Sequence, residues 1–332
     1  MRALAAQAGE APPLTLDDVL RASHAIGNRL HRTPLLSSAT LGEAVGARVF
    51  LKAELFQRTG SFKPRGMLAR LASLSADERR AGVVTVSAGN AAAALAYGAA
   101  LERIDCLVVM AAAASPLKVA ATRAYGASVD LEARTAEEAF ARANELREAS
   151  GRTFVHPFDD DDVIAGHGSL GLEIVEDRPD VDVVVVPVGG GGLVSGVAVA
   201  VTAARPDARV VAVEPEHSAA LQAALAAGSP VRVAPASIAD GLNAPFAGER
   251  CLALCRALLV ASVTVSEAEI REGFRFLYAR AKLAAEPAGA AGVAALLAGK
   301  VSDVRGKTVV VVVSGGNVAA ETASGILGFD EG

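Results

Sequence analysis

Short, unbroken apolar runs recur along the chain at 83–86, 106–110, 129–131, 183–186, 210–213 and 308–313, most of them rich in valine. All but the last lead into an alanine-rich stretch of helical length, at 90–102, 115–125, 136–148, 191–204 and 218–226. Runs that lack polar alternation predict parallel strands covered on both faces. Strand–helix–strand repetition predicts an α/β architecture with right-handed crossovers. The units fall into two groups, 82–150 and 180–332, separated by a polar stretch at 150–152 and an acidic one at 159–162. Two open parallel-sheet α/β domains with a cleft between them are expected. The expected division is a large domain of 1–72 with 158–332 and a small mobile domain of 73–157.

Ligands of open α/β sheets bind beyond the carboxyl ends of the strands. Three predicted strand ends carry polar or glycine-rich turns. They are "SAGN" (87–90), "GGGG" (189–192) and "SGGN" (314–317). All three are expected to face one cleft.

Composition narrows the classes. The chain has 332 residues, 52% hydrophobic and 21% charged, enough for a sizeable core. A net charge of −5 without any basic block gives no footprint for nucleic acid. No run of 18 or more apolar residues predicts a membrane span. The opening "MRALAAQAGEAPPLTLDD" is too short and too polar for a signal peptide. Cys106, Cys251 and Cys255 lack metal-knuckle spacing and read as reduced core thiols of a cytoplasmic protein.

Two local signals carry chemistry. In "TGSFKPRG" (59–66) Lys63 stands between Phe62 and Pro64 in a turn, where an amine can act as a nucleophile. Arg65 reads as a solvated or structural cation. His156 and His167 read as satisfied structural histidines. The second signal is Gly189, Gly190, Gly191 and Gly192 between a strand and a helix. Bare amides at a helix N-terminus form an anion cradle, most simply for phosphate. The loop lacks the lysine and hydroxyl of a nucleotide P-loop. Glu214, 22 residues after Gly192, leaves a dinucleotide reading open, but the G-x-G-x-x-G register fails at Val194 or Ser195. A purely structural tight turn is the third reading. An amine together with a phosphate cradle suits a phosphorylated aldehyde, pyridoxal 5′-phosphate. Ser314 then supplies a neutral hydroxyl for the pyridine nitrogen.

The chain resembles the fold-type II, tryptophan-synthase-β-like pyridoxal-phosphate enzymes, in the threonine/serine dehydratase and serine racemase branch. The matching stretches are "KAELFQRTGSFKPRG" (52–66), "SAGN" (87–90), "ATRAYGA" (121–127), "HPFDDDDVIAGHG" (156–168), "PVGGGG" (187–192), "ADGL" (239–242), "EPAG" (286–289) and "SGGN" (314–317). The resemblance implies that Lys63 anchors the cofactor and acts as base at Cα. Phe62 would lie against the ring, Asn90 would bond the 3′-oxygen, and Glu286 would stand near the ring, although an acid before proline is also an ordinary helix start. Gly189–Gly192 and the Leu193 amide would hold the phosphate, with Ser314 at the ring nitrogen. Ser87, Ala88, Gly89, Asn90 and Ala91 would grip the substrate carboxylate. The cofactor phosphate would protonate a leaving hydroxyl.

The implied function is a pyridoxal-phosphate-dependent ammonia-lyase. It converts a β-hydroxy-α-amino acid, L-threonine or L-serine, to a 2-keto acid and ammonia by α,β-elimination. The alternatives are a lyase for a bulkier substrate such as phenylserine or hydroxyaspartate, a β-replacement synthase, a cofactor-binding protein without turnover and a dinucleotide-binding oxidoreductase. A homodimer with a small amino-acid substrate is expected, with neither nucleic acid nor membrane as partner. No residues remain for a C-terminal regulatory domain, so isoleucine control is not expected.

Departures from the branch are informative. Ala88 stands where a racemase carries serine, Ala91 where histidine is usual and Ala93 where glutamine is usual. "AAAA" (111–114) replaces a stretch usually bearing proline and glutamate. These alanines read as drift or alanine substitution on one view, and as a widened pocket on the other. A metal site of relatives pairs an acid with a second acid six residues on. Here the pair would be Glu214 and Ala220, so no metal ligand is assigned.

Overall fold

A computed structural model describes residues 14–328. The polar N-terminal stretch lies outside the described residues up to position 13. Among the described residues the strands in chain order are β1 Leu35–Ser37, β2 Arg48–Ala53, β3 Val83–Val86, β4 Cys106–Ala111, β5 Ser128–Ala133, β6 Thr153–Phe154, β7 Val183–Pro187, β8 Arg209–Pro215, β9 Ala261–Val265 and β10 Thr308–Val313. They form a six-stranded sheet in the order β1-β2-β10-β7-β8-β9 and a four-stranded sheet in the order β5-β4-β3-β6. Two α/β domains result. Every strand pair is parallel except β1 with β2 at the edge of the large sheet. The all-parallel expectation is corrected at that edge.

The valine runs follow from two-sided burial. Val309, Val311 and Val313 enter the core on one face of the large sheet, and Val310 and Val312 enter the core on the other. Val183 and Val185 divide from Val184 and Val186 in the same way. A strand with solvent on neither face has no place for a polar residue.

Helices cover these faces. The Asn90–Glu102 helix has the predicted bounds. The helix predicted from 115 begins at Pro116, with Ser115 as its cap residue. Gly191 has φ +100°, which keeps it out of the helix that begins at Gly192. The Pro64–Ser73 helix lies against both the Asn90 helix and the Asp161–Asp177 helix, so it touches the layers of both sheets. Among the described residues no helix is long and apolar enough to cross a membrane.

Candidate active site

The Lys63 turn is stitched to the end of β10. Ser61 forms a bridge with Gly315, the Phe62 amide donates to the Ser314 carbonyl at 3.1 Å, and the Gly316 amide donates to the Gly60 carbonyl at 2.9 Å. Gly60 has φ +73°, and a Cβ there would lie 2.4 Å from Asn317 Oδ1. These contacts set Lys63 beside Ser314 at the first turn of the Pro64 helix. Lys63 Nζ donates to the Pro157 carbonyl at 2.7 Å and lies 5.2 Å from the Phe62 ring centre. Burial pushes the Lys63 ammonium down to about 8, which brings its neutral form within reach near neutral pH.

The glycine loop follows β7. Its glycines are required by close approaches. A Cβ on Gly190 would lie 2.3 Å from the Phe158 ring, and one on Gly192 would lie 2.5 Å from the Phe158 carbonyl oxygen. Gly191 combines its positive φ with a would-be contact of 2.8 Å to Cys251 Cβ. The loop ends in the Gly192–Ala204 helix, whose first-turn amides have no partner within the helix. A second helix start, at Asn90, follows β3. Ahead of it, Ser87 Oγ accepts the Gly89 amide at 3.1 Å and shapes the turn.

All the sequence-derived site residues line one cavity of about 400 Å³. Phe62, Lys63, Ser87, Ala88, Gly89, Asn90 and Ala91 form part of its wall. Gly189–Gly192, Leu193, Glu286 and Ser314 form much of the remainder. The lining also includes Phe140, Phe158, Lys118, Asp240 and Asn317, to which the sequence reading gave no role. Lys118 and Asp240 pair across the cleft. The "ADGL" motif marked Asp240 but said nothing of its partner.

Asn90 Nδ2 donates to Glu286 Oε1 at 2.8 Å, and Asn317 Nδ2 donates to Asn90 Oδ1 at 2.8 Å and to the Thr59 carbonyl at 2.7 Å. Glu286 holds the position before the Pro287–Leu297 helix without a capping hydrogen bond from its side chain. Burial, reinforced by the charge of Asp240, raises its carboxyl to about 8.

Other readings change. Arg65 is buried among Glu54, Glu173 and Ser169, which removes the solvated alternative and leaves the structural one. His156 is satisfied: its Nδ1 accepts the Phe158 and Asp159 amides, and burial lowers it to about 4. His167 is buried with no hydrogen bond on either ring nitrogen, so it is structural but not satisfied. Its ring meets Phe62 edge-on at 4.8 Å, and burial holds it well below the usual range. Glu214 does not line the cavity. Its carboxylate accepts the Leu221 and Gln222 amides at the start of the Ala220–Ala227 helix, and burial raises it to about 7. Ala88, Ala91 and Ala111 line the cavity, whereas Ala93 and Ala112–Ala114 are absent from its wall. The three cysteines are buried free thiols.

Two helix N-termini in the wall of one cavity favour two anions, and the depressed amine in the same wall suits an aldehyde. With two parallel-sheet domains around it, this is the arrangement of a fold-type II pyridoxal-phosphate enzyme. The sequence profile described as "Pyridoxal-phosphate dependent enzyme" matches residues 26–315. The chain belongs to that family. It is 44% identical over 306 residues to an L-threonine ammonia-lyase of Thermotoga maritima, covering 92% of this chain and 76% of that one. It is 40% identical over 298 residues to a phenylserine dehydratase of Ralstonia pickettii, covering 90% and 91%. Among solved structures, maize serine racemase superposes with a TM-score of 0.90 at 34% identity, covering 94% of this chain and 96% of that one. Family membership removes the dinucleotide-binding oxidoreductase reading.

Proposed function

We propose that the protein is an ammonia-lyase that eliminates water from a β-hydroxy-α-amino acid, L-threonine or L-serine, with net release of a 2-keto acid and ammonia. The observation that carries this is the pair of helix N-termini, at Asn90 and Gly192, that share one cavity with the Lys63 amine. Their amides match two anions, a substrate carboxylate and a cofactor phosphate.

The residues fit pyridoxal phosphate. The side-chain-free cradle of Gly189–Gly192 and the Leu193 amide would hold its phosphate, Lys63 its aldehyde carbon, and Phe62 and Asn90 its ring. When bound, the cofactor supplies an electron sink that acidifies the Cα proton of an amino acid. Lys63 is the base placed to take that proton, and burial shifts its amine toward the neutral form. Ser314, a buried hydroxyl, would meet the ring nitrogen without a full charge. That tempers the electron sink and favours loss of a β-substituent over transamination. The Ser87–Ala91 turn would hold the carboxylate, and Met110 and Phe140 add apolar wall to the cavity.

A bulkier substrate is the second reading. Ala88, Ala91 and Ala111 widen the cavity wall. The cavity's lysines are Lys63 and Lys118, and Lys118 is paired with Asp240. A β-carboxylate would therefore lack a dedicated cation, so phenylserine fits better than hydroxyaspartate.

The reading also includes a small domain of 73–157, supported by the confinement of β3 to β6 to that span, and takes this domain to be the mobile one. A homodimer is part of the reading as well. A cytoplasmic location rests on the free thiols. A panel of β-hydroxy amino acids assayed for keto acid, with visible absorbance recorded in parallel, tests the central proposal. Keto acid from none of them, in a protein carrying the cofactor band, sinks it.

A further inference from the structure

Asn317 closes the "SGGN" turn at the rim of the cavity and has no role in the reading above. Its side chain is anchored by a contact that fixes which amide atom is which. The Thr59 carbonyl oxygen only accepts, so the Asn317 atom facing it at 2.7 Å is the amide nitrogen. The same nitrogen faces Asn90 at 2.8 Å. The Asn90 atom on that side must therefore be its oxygen, which turns the Asn90 amide nitrogen inward to Glu286 at 2.8 Å. Gly60 makes room for this chain of bonds, because a Cβ there would overlap Asn317 Oδ1. Thr59 is held at φ +60°, a conformation that non-glycine residues seldom adopt, and so presents its carbonyl to Asn317.

We propose that Asn317 is a positioning residue that fixes the flip of the Asn90 side chain, so that a donor rather than an acceptor faces the cofactor ring. This deepens the proposed function and rests on its placement of pyridoxal phosphate against Asn90. The orientation passes from the backbone of the Lys63 turn, through Asn317, to the first residue of the Asn90 helix.

The test uses three single variants and one double variant. Pyridoxal 5′-phosphate is titrated into each apoprotein by equilibrium dialysis, and the visible band of each holoprotein is recorded. Asn317→Asp keeps the shape but offers only acceptors, so it draws the Asn90 nitrogen outward and turns the oxygen toward the ring. Asn317→Ala merely frees Asn90. The expected order is a cofactor Kd weakened about fivefold or more in Asn317→Asp, with a shifted band, and a smaller change in Asn317→Ala. A packing role predicts the reverse order, because aspartate matches asparagine in size. A general charge effect predicts that Asn317→Asp costs as much in an Asn90→Ala background as alone, whereas orientation through Asn90 predicts that most of the cost disappears there. The reverse order, or full additivity in the double variant, overturns the inference. If Asn90→Ala alone leaves Kd and band unchanged, the placement of Asn90 at the cofactor fails first, and the inference falls with it.

Discussion

Arg65 and Glu54 meet in two parallel hydrogen bonds, 2.8 Å and 2.9 Å long, with both side chains shut off from solvent. Burial alone would raise the Glu54 carboxyl, but the Arg65 charge and hydrogen bonds outweigh it and hold Glu54 below the usual carboxylate range. Arg65 also reaches Glu173, which binds Lys52 at 2.5 Å. This buried network lies two residues beyond Lys63 and fixes the start of its helix. Removing one member of such a network strands a charge, at about 3–5 kcal/mol. Arg65→Ala is expected to lose stability on that scale in urea denaturation, and Arg65→Lys less. A loss below about 1 kcal/mol in Arg65→Ala would show that the network is incidental.

Lys63→Ala should retain the circular dichroism of the parent protein and lose its cofactor band. Ammonia release should fall at least about a thousandfold, since the same amine serves as anchor and base. Substantial residual turnover would refute the assignment of Lys63.

Racemisation is expected to be negligible. A second proton donor is needed on the face opposite Lys63, and Ala88, at the position where a racemase carries serine, puts only a methyl group in the cavity wall. The neighbouring Ser87 hydroxyl accepts the Gly89 amide. Chiral chromatography of L-serine incubations should show keto acid without comparable D-serine, and equal rates of the two would contradict this.

The enlarged-pocket reading makes a quantitative statement about Ala91, which is buried and lines the cavity. Burying a phenyl substituent there could contribute about 2 kcal/mol, or roughly thirtyfold in kcat/KM. Ala91→His is then expected to penalise phenylserine more than threonine. If the parent prefers threonine by about tenfold and Ala91→His improves it, the alanines reflect drift.

Glu286 should give stability a pH slope. Its carboxyl titrates at about 8 in the folded chain against the ordinary 4.5 of a glutamate, so the folded state binds the extra proton between those limits. The resulting stability is full below about 4.5 and declines as pH rises toward about 8. Glu286→Gln cannot titrate, so its melting temperature should fall less between pH 5 and pH 8 than that of the parent apoprotein. Equal falls in both would remove Glu286 as the source.

The strand-end chemistry was legible because it leaves compositional marks. Glycine, serine and asparagine interrupt valine at 87–90, 189–192 and 314–317, and all three turns line one cavity. Strands β1, β2, β6 and β9 escaped because they are short or carry polar positions, and so lack the unbroken apolar run. The Arg65 network was hidden by distance along the chain, with partners 11 and 108 residues away. Ala91 and Ala93 looked equivalent in sequence. Two residues apart on a helix, they point about 200° from each other, and only Ala91 reaches the cavity.

The two Phe158 contacts on the glycine loop place unequal constraints on descent with modification. Gly190 is excluded from larger residues by a side chain, the Phe158 ring, whereas Gly192 is excluded by the Phe158 backbone carbonyl. Position 190 can therefore vary in step with position 158: a methyl group becomes admissible once the phenyl ring has given way to something smaller. Position 192 has no such release, because every residue at 158 carries the same carbonyl. Among descendants of this chain, substitutions at 158 and 190 should arise as a correlated pair, while 192 stays glycine whatever its neighbour becomes.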